Sequence, residues 1–287
     1  MSHDFEDSVF ETADGLRLHY RDYAPREPVA DPVLCLHGLT RNLLDFEELA
    51  PRIAGLGRRV IVASQRGRGQ SDRDPMTQRY NAGVYTADML GLLDRLQIGR
   101  AVFVGTSMGG LMTMIAAAQA PERLAGAVLN DIGPEVDPRG LERIRRSTGQ
   151  AKIAADWTEA AAHCRATNGL AFPRETGERF WDAFAHRVFR ETGPGRIELD
   201  YDLEVSRATL AAPAVANLWP LFDALGQIPT LVVRGELSDL LEASTVDDMR
   251  RRKPDLEAVT VPGVGHAPFL TEPAAWDAVA SFLARQG

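Results

Sequence analysis

The stretch Ala101-Val102-Phe103-Val104-Gly105-Thr106-Ser107-Met108-Gly109-Gly110-Leu111 decides how the chain is read. Four apolar residues are followed by small and polar ones, and then by a run without charge that continues to Pro121. The 21 uncharged positions from 101 to 121 are long enough on paper to span a bilayer. Gly105, Ser107, Gly109 and Gly110 interrupt the middle, where a spanning helix has to be continuous. The pattern therefore predicts a buried strand, a tight turn and a buried helix. A G-x-S-x-G in that context is the arrangement of a nucleophile elbow, whose sharp turn strains the serine backbone and exposes its hydroxyl. Neighbours two residues before and after the serine must be tiny, and Gly105 and Gly109 meet that need. The following helix points the positive end of its dipole at Ser107, favouring negative charge that develops there. A chance Gly/Ser-rich turn is the plainer alternative, and the flanking strand and helix argue against it.

Outward from this stretch, short apolar runs at 33–36, 60–63, 101–104, 127–129, 230–233 and 258–261 have the composition of strands buried on both faces. Helix-length segments at 43–53, 86–96 and 111–120 lie between them. Strands alternating with helices predict an α/β fold: a mostly parallel central sheet covered by helices on both faces. Residues 8–24 predict an N-terminal hairpin turning at Asp14-Gly15. The alternation stops near Gly133. From there to about Pro213 the pattern reads as helices and loops only, with Trp157, Ala161 and Cys164, then Phe180, Phe184 and Val188, at helical spacing. The expected organisation is a core of residues 1–133 and 216–287 interrupted by a helical cap at 134–215. Such a cap sits over the carboxyl edge of the sheet, where open α/β folds bind ligands.

The chain has 287 residues with 32 Lys+Arg against 40 Asp+Glu, a net charge of −8. That balance argues against a nucleic-acid partner, which needs a basic face. Two cysteines far apart, Cys35 and Cys164, are too few for a disulfide-stapled fold or a Cys-based zinc site. The opening MSHDFEDSVF shows neither a basic n-region nor an apolar h-region, so the expectation is a cytoplasmic protein with no membrane association.

Three further motifs accompany the elbow: Leu36-His37-Gly38-Leu39, Gln65-Arg66-Gly67-Arg68-Gly69-Gln70-Ser71, and Gly263-Val264-Gly265-His266-Ala267-Pro268. With these the sequence resembles the α/β-hydrolase family, specifically its capped single-chain members, over nearly its whole length. The resemblance implies that the backbone N–H groups of Leu39 and Met108 form an oxyanion hole, where one donor is worth about 10²–10³ in rate. It implies that His37 braces its loop and that His266 is the base, since a serine hydroxyl needs one to take its proton. The acid it implies is Asp239, in the loop after the 230–233 strand, giving the chain order Ser107, Asp239, His266. Asp131, after the preceding strand, and Glu236, in the same loop, are its rivals. Relatives usually carry Asp at the position of Ser64, a departure expected to weaken a loop hydrogen bond and leave catalysis alone. Gly and Arg in the 65–71 loop do not by themselves make a phosphate site.

A serine nucleophile, unlike the aspartate of dehalogenases and epoxide hydrolases, suits acyl transfer without metal or cofactor. The expected activity is cleavage of a carboxylic ester or lactone of a small to medium, fairly apolar substrate, with water as second substrate. C–C hydrolysis of a vinylogous diketone, perhydrolysis and thioester cleavage are alternatives; Ala267, where several C–C hydrolases carry an aromatic, weighs against the first. A non-enzymatic receptor on the same fold is disfavoured by the intact set of nucleophile, base and acid. For substrate binding, Arg41 is the candidate for meeting a carboxylate, and Trp157 and Trp181 for lining an apolar pocket, with Phe180 and Phe184 near them.

Overall fold

The computed structural model describes residues 5–211 and 217–286. Its elements run β1 (Glu6–Glu11), β2 (Arg17–Tyr23), β3 (Val33–Leu36), α1 (Leu49–Ala54), β4 (Val60–Ala63), α2 (Ala82–Arg95), β5 (Ala101–Thr106), α3 (Met108–Gln119) and β6 (Leu124–Asn130). Next come α4 (Pro138–Ser147), β7 (Ile153–Ala154), α5 (Trp157–Asn168), α6 (Glu178–Val188), β8 (Phe189–Gly193), β9 (Arg196–Leu199), α7 (Leu203–Ala211) and α8 (Trp219–Asp223). The chain closes with β10 (Thr230–Gly235), α9 (Ala243–Arg252), β11 (Glu257–Val261) and α10 (Pro273–Leu283). Eight strands form one sheet in the order β1-β2-β4-β3-β5-β6-β10-β11. The hairpin β1–β2 turns at Gly15 (φ +86°) and joins β4 antiparallel, and every pairing from β4 to β11 is parallel.

Side chains of a strand alternate between the faces of its sheet, and the apolar runs fill both. Val33, Cys35, Val60, Val62, Val102 and Val104 pack with Ile53 of α1 and Val279 and Phe282 of α10. Leu34, Leu36, Ile61 and Phe103 pack on the other side with Met89 and Leu92 of α2 and Met112 of α3. The chain leaves β3 to build β4 on one side and returns to build β5 on the other. Strand order thus reverses between β3 and β5, and the loops after these two strands open a crevice at their carboxyl ends. Those loops carry Gly38-Leu39 and Ser107.

The uncharged 101–121 stretch divides into β5, the Ser107 turn and α3, and no helix among the described residues is long and apolar enough to cross a membrane. The expected helix at 43–53 is divided into a 3₁₀ turn, Leu43–Phe46, which the Asn42 side chain caps by accepting from Leu44 N, and α1. Between β6 and β10 the reading of helices and loops only is corrected. Strands β7, β9 and β8 form a three-stranded antiparallel sheet, with the Gly193-Pro194-Gly195 turn joining β8 to β9. This segment has its own apolar cluster, including Cys164, Phe172, Trp181, Phe184 and Ile197. Val264 and Phe269, from the loop after β11, pack against that cluster, and Gly265 N donates to Ala171 O (2.7 Å). The expected cap boundary at 215/216 lies outside the described residues.

Candidate active site

The elbow forms because β5 and α3 meet at a residue with φ +53°, Ser107. Positive φ is costly for a residue with a side chain and persists where the surroundings enforce it. Here they do: Ser107 N donates to Asn130 O, and Gly110 N donates back to Ser107 O (both 2.9 Å). A Cβ at Gly109 would overlap the Leu36 carbonyl, and one at Gly105 would overlap the Gly109 carbonyl. Glycine is therefore required at both positions by the closeness of three backbones.

His266 stands in the loop after β11, with Nε2 2.9 Å from Ser107 Oγ. Its Nδ1–H donates to Asp131 Oδ2 at 2.8 Å, which leaves Nε2 as the acceptor for the serine proton. Asp131 follows β6 with φ +56° and is fully buried. Its carboxylate also accepts from Gly235 N (2.8 Å) and from Ser238 Oγ (2.6 Å). Three donors thus compensate a carboxylate removed from water. Asn130 adds a brace, donating to Thr106 Oγ1 (3.0 Å) and to Pro268 O (2.7 Å), which ties the His266 loop to the end of β5.

The expectation that Asp239 orients His266 is corrected by this geometry. Arg143, from α4, takes the Asp239 carboxylate in a two-pronged pair (Nε–Oδ2 2.6 Å, Nη2–Oδ1 2.9 Å), and that guanidinium holds its pKa below the usual carboxylate value. Glu236 is engaged as well, accepting from Gly263 N. The loop that supplies the acid in the family's usual pattern here supplies hydrogen-bond donors to Asp131 instead.

Leu39 lines a cavity with Ser107, Met108 follows Ser107 as the first residue of α3, and neither backbone N–H has an acceptor among the described residues. The peptide carrying the Leu39 N–H is fixed from its other end: His37 Nδ1–H donates to Gly38 O (2.7 Å), while His37 Nε2 accepts from Gln65 N (3.1 Å). Full burial, and next the charge of Arg68, push the His37 pKa well below its ordinary value, so the imidazole is neutral, as this bonding needs. Ser64 Oγ accepts from Leu43 N (3.1 Å), so a loop bond survives the Asp-to-Ser departure. Arg66 is no anion site: its buried guanidinium is spent on Asp14, Asp74 and Asp88, locking the hairpin turn, the 65–74 loop and α2 together.

A cavity of about 140 Å³ opens at Ser107 and His266. Phe172, Phe184, Phe269 and Ile144 give it apolar walls, and Arg41, Arg143 and Asp45 bring charged groups to it. Arg41 is held by Asp45 (Nε–Oδ1 2.7 Å) and lies over the Phe184 ring at 4.4 Å. Trp157 and Trp181 are not in its walls: Trp157 stacks on His186 at 3.8 Å, and Trp181 is buried and donates to Glu175 O. Arg143, Phe172 and Phe269 escaped sequence reasoning. An arginine in a charged cap helix reads as solvated, and single phenylalanines in loops carry no periodic signal.

The family model for the α/β-hydrolase fold matches residues 31–273. The chain is 34% identical over 267 residues to a 3-hydroxybutyrate-oligomer hydrolase of Cupriavidus necator, covering 90% of each chain. It is 30% identical to a 2-(acetamidomethylene)succinate hydrolase of Mesorhizobium japonicum, covering 84% of each. The crystal structure of an α/β hydrolase from Novosphingobium aromaticivorans superimposes with a TM-score of 0.91 at 44% identity over 99% of both chains.

Proposed function

Because the chain belongs to the α/β-hydrolase fold family, we propose that it is a serine hydrolase that cleaves carboxylic esters through an acyl-enzyme. One observation carries this reading: the unbroken hydrogen-bond chain from Ser107 Oγ through His266 to the buried Asp131. Ser107 Oγ attacks the ester carbonyl as His266 Nε2 takes its proton, with Asp131 stabilising the imidazolium. The developing oxyanion accepts from Leu39 N–H and Met108 N–H. Collapse breaks the C–O bond, and the alcohol leaves with the proton from Nε2. Water then attacks the acyl-serine by the same route in reverse, releasing the carboxylic acid and restoring the Ser107 hydroxyl.

For the substrate, the reading is a short ester that also bears a free carboxylate, such as an oligomer of a hydroxyalkanoate. The apolar walls suit a short alkyl chain, and Arg41 and Arg143, whose Nε and Nη2 are taken by Asp45 and Asp239, keep Nη1 to donate to the carboxylate at the same cavity. The relative named for 3-hydroxybutyrate oligomers supports the same class. Fluorophosphonate labelling of wild type and Ser107→Ala, followed by turnover of 3-hydroxybutyrate dimer, its methyl ester and p-nitrophenyl butyrate, tests the reading. The expected result is labelling of wild type only, with kcat/KM for the free dimer exceeding that for its methyl ester by at least about tenfold. Equal labelling of the alanine variant overturns the nucleophile, and preference for the methyl ester overturns the carboxylate.

A further inference from the structure

Arg68 is fully buried and forms no ion pair among the described residues, unlike its loop neighbour Arg66 with three carboxylates. A buried cation with no carboxylate in contact, and only Asp202 acting on it from a distance, is costly, so its retention asks for a physical account. Its donors all go to neutral groups. Nε and Nη2 both donate to Leu39 O (3.0 and 2.8 Å), Nη1 donates to Arg66 O (2.7 Å), and Nη2 lies 3.8 Å from Met108 Sδ. The guanidinium rests over the Tyr85 ring at 4.5 Å. It therefore touches both residues whose backbone N–H groups are read as the oxyanion donors, without itself lining the cavity.

We propose that Arg68 is a positioning residue for the oxyanion site, one that fixes the Leu39 peptides and sets a permanent positive charge behind the two donors. The inference rests on the esterase reading above. His37 holds Gly38 O and Arg68 holds Leu39 O, so two successive peptides are pinned and the direction of the Leu39 N–H is set before substrate arrives. The charge acts differentially. A neutral ester gains little from a cation behind the loop, whereas a tetrahedral oxyanion gains much more, and only such differential stabilisation accelerates the chemical step. Burial excludes the water that would screen it. Buried charge and hydrogen bonding can be separated chemically: Lys keeps the cation, Gln keeps a donor without charge, and Met keeps only the apolar stem.

The test compares Arg68→Lys, Arg68→Gln and Arg68→Met in the full chain. It measures kcat and KM for p-nitrophenyl butyrate, and affinity for a trifluoromethyl ketone that Ser107 converts to an anionic hemiketal. The matched non-fluorinated ketone serves as ground-state control. Arg68→Met and Arg68→Gln are expected to lose about 10–100-fold in kcat with KM within about threefold. Affinity for the trifluoromethyl ketone should fall in parallel while the control ketone is unaffected, and Arg68→Lys should recover most of both losses. A purely structural role would weaken both ketones alike and would not be rescued by Lys. Gln matching or exceeding Lys overturns the role of charge, and this comparison decides even where Arg68→Met does not fold. Wild type that neither labels with fluorophosphonate nor hydrolyses any ester defeats the esterase reading itself. Active wild type with an unaffected Arg68 series defeats only the present inference.

Discussion

Two aspartates lie near His266, and their partners separate them. Asp131 turns its carboxylate onto Nδ1 because the chain leaves β6 through φ +56°, and because Gly235 N and Ser238 Oγ hold it there. Asp239 is neutralised by Arg143. Asp131→Asn should lower kcat/KM by about 10³–10⁴, as loss of a triad acid does by favouring the wrong imidazole tautomer. Asp239→Asn should cost less than about tenfold, since the pair it breaks is partly exposed. Steady-state kinetics on p-nitrophenyl butyrate compares them, and a larger loss at Asp239 would reverse the assignment. The approach of Ser107 to His266 was legible in the sequence through the family resemblance, which places the base in the loop after the last strand, where Gly263–Pro268 carries His266. The choice of acid was not. It depends on a left-handed residue after β6 and on a partner 96 positions away from Asp239, in a helix of the inserted segment.

At the scale of elements, α4 is one piece of the inserted segment that meets the site, lining the cavity with Arg143 and Ile144. Gly140 is its only buried residue, and a Cβ there would overlap the Asp239 carbonyl. Arg143 then reaches Asp239, and Arg139 reaches Glu242 at 2.6 Å, so the helix is clipped to the loop after β10. Gly140→Ala should lift α4 from that loop, lower stability by about 1–3 kcal/mol and raise KM, because Arg143 and Ile144 of the cavity wall move with it. Gly91→Ala in α2, where a Cβ meets nothing within 4 Å, should instead stabilise by about 0.4–1 kcal/mol through the unfolded chain. Thermal melts and KM for the two variants check this, and a neutral Gly140→Ala would mean that α4 is not seated on the loop. The buried strands of the main sheet were legible because residues enclosed on both faces read as unbroken apolar runs. The three strands of the inserted sheet were not. Ile153–Ala154 is two residues long and Phe189–Gly193 reads Phe-Arg-Glu-Thr-Gly. Pairing across the Gly193-Pro194-Gly195 turn makes these strands, with little apolar alternation to announce them.

On the scale of the whole molecule, the inserted segment is tied to the sheet through a buried acid, Asp200, whose pKa burial raises to about 6. Asn42 donates to Asp200 Oδ2 (3.0 Å) and to Arg187 O (2.9 Å), Gly69 N donates to Asp200 O (3.1 Å), and Arg187 pairs with Glu47 and Glu48 beside α1. Burial raises the Asp200 pKa from 3.8 to about 6, against the opposing pull of Arg190, Arg73 and the Asn42 amide. Between those two values the folded chain holds a proton that the unfolded chain has released. The stabilising contribution is therefore complete below pH 3.8 and is lost as pH rises through 6. Above pH 6 the ionised carboxylate sits in the junction at a cost of up to about 3 kcal/mol. Asp200→Asn keeps an oxygen acceptor and two donors there without charge, and it leaves Arg190, itself 43% exposed, to solvent. The variant should therefore melt above wild type by at least roughly 3 °C at pH 7.5, and the gap should close as the pH is lowered from 6.5 to 4.5. Paired melts of the two proteins across that range measure it. A gap that is constant with pH, or that widens toward acid, would show that the junction does not respond to ionisation of Asp200.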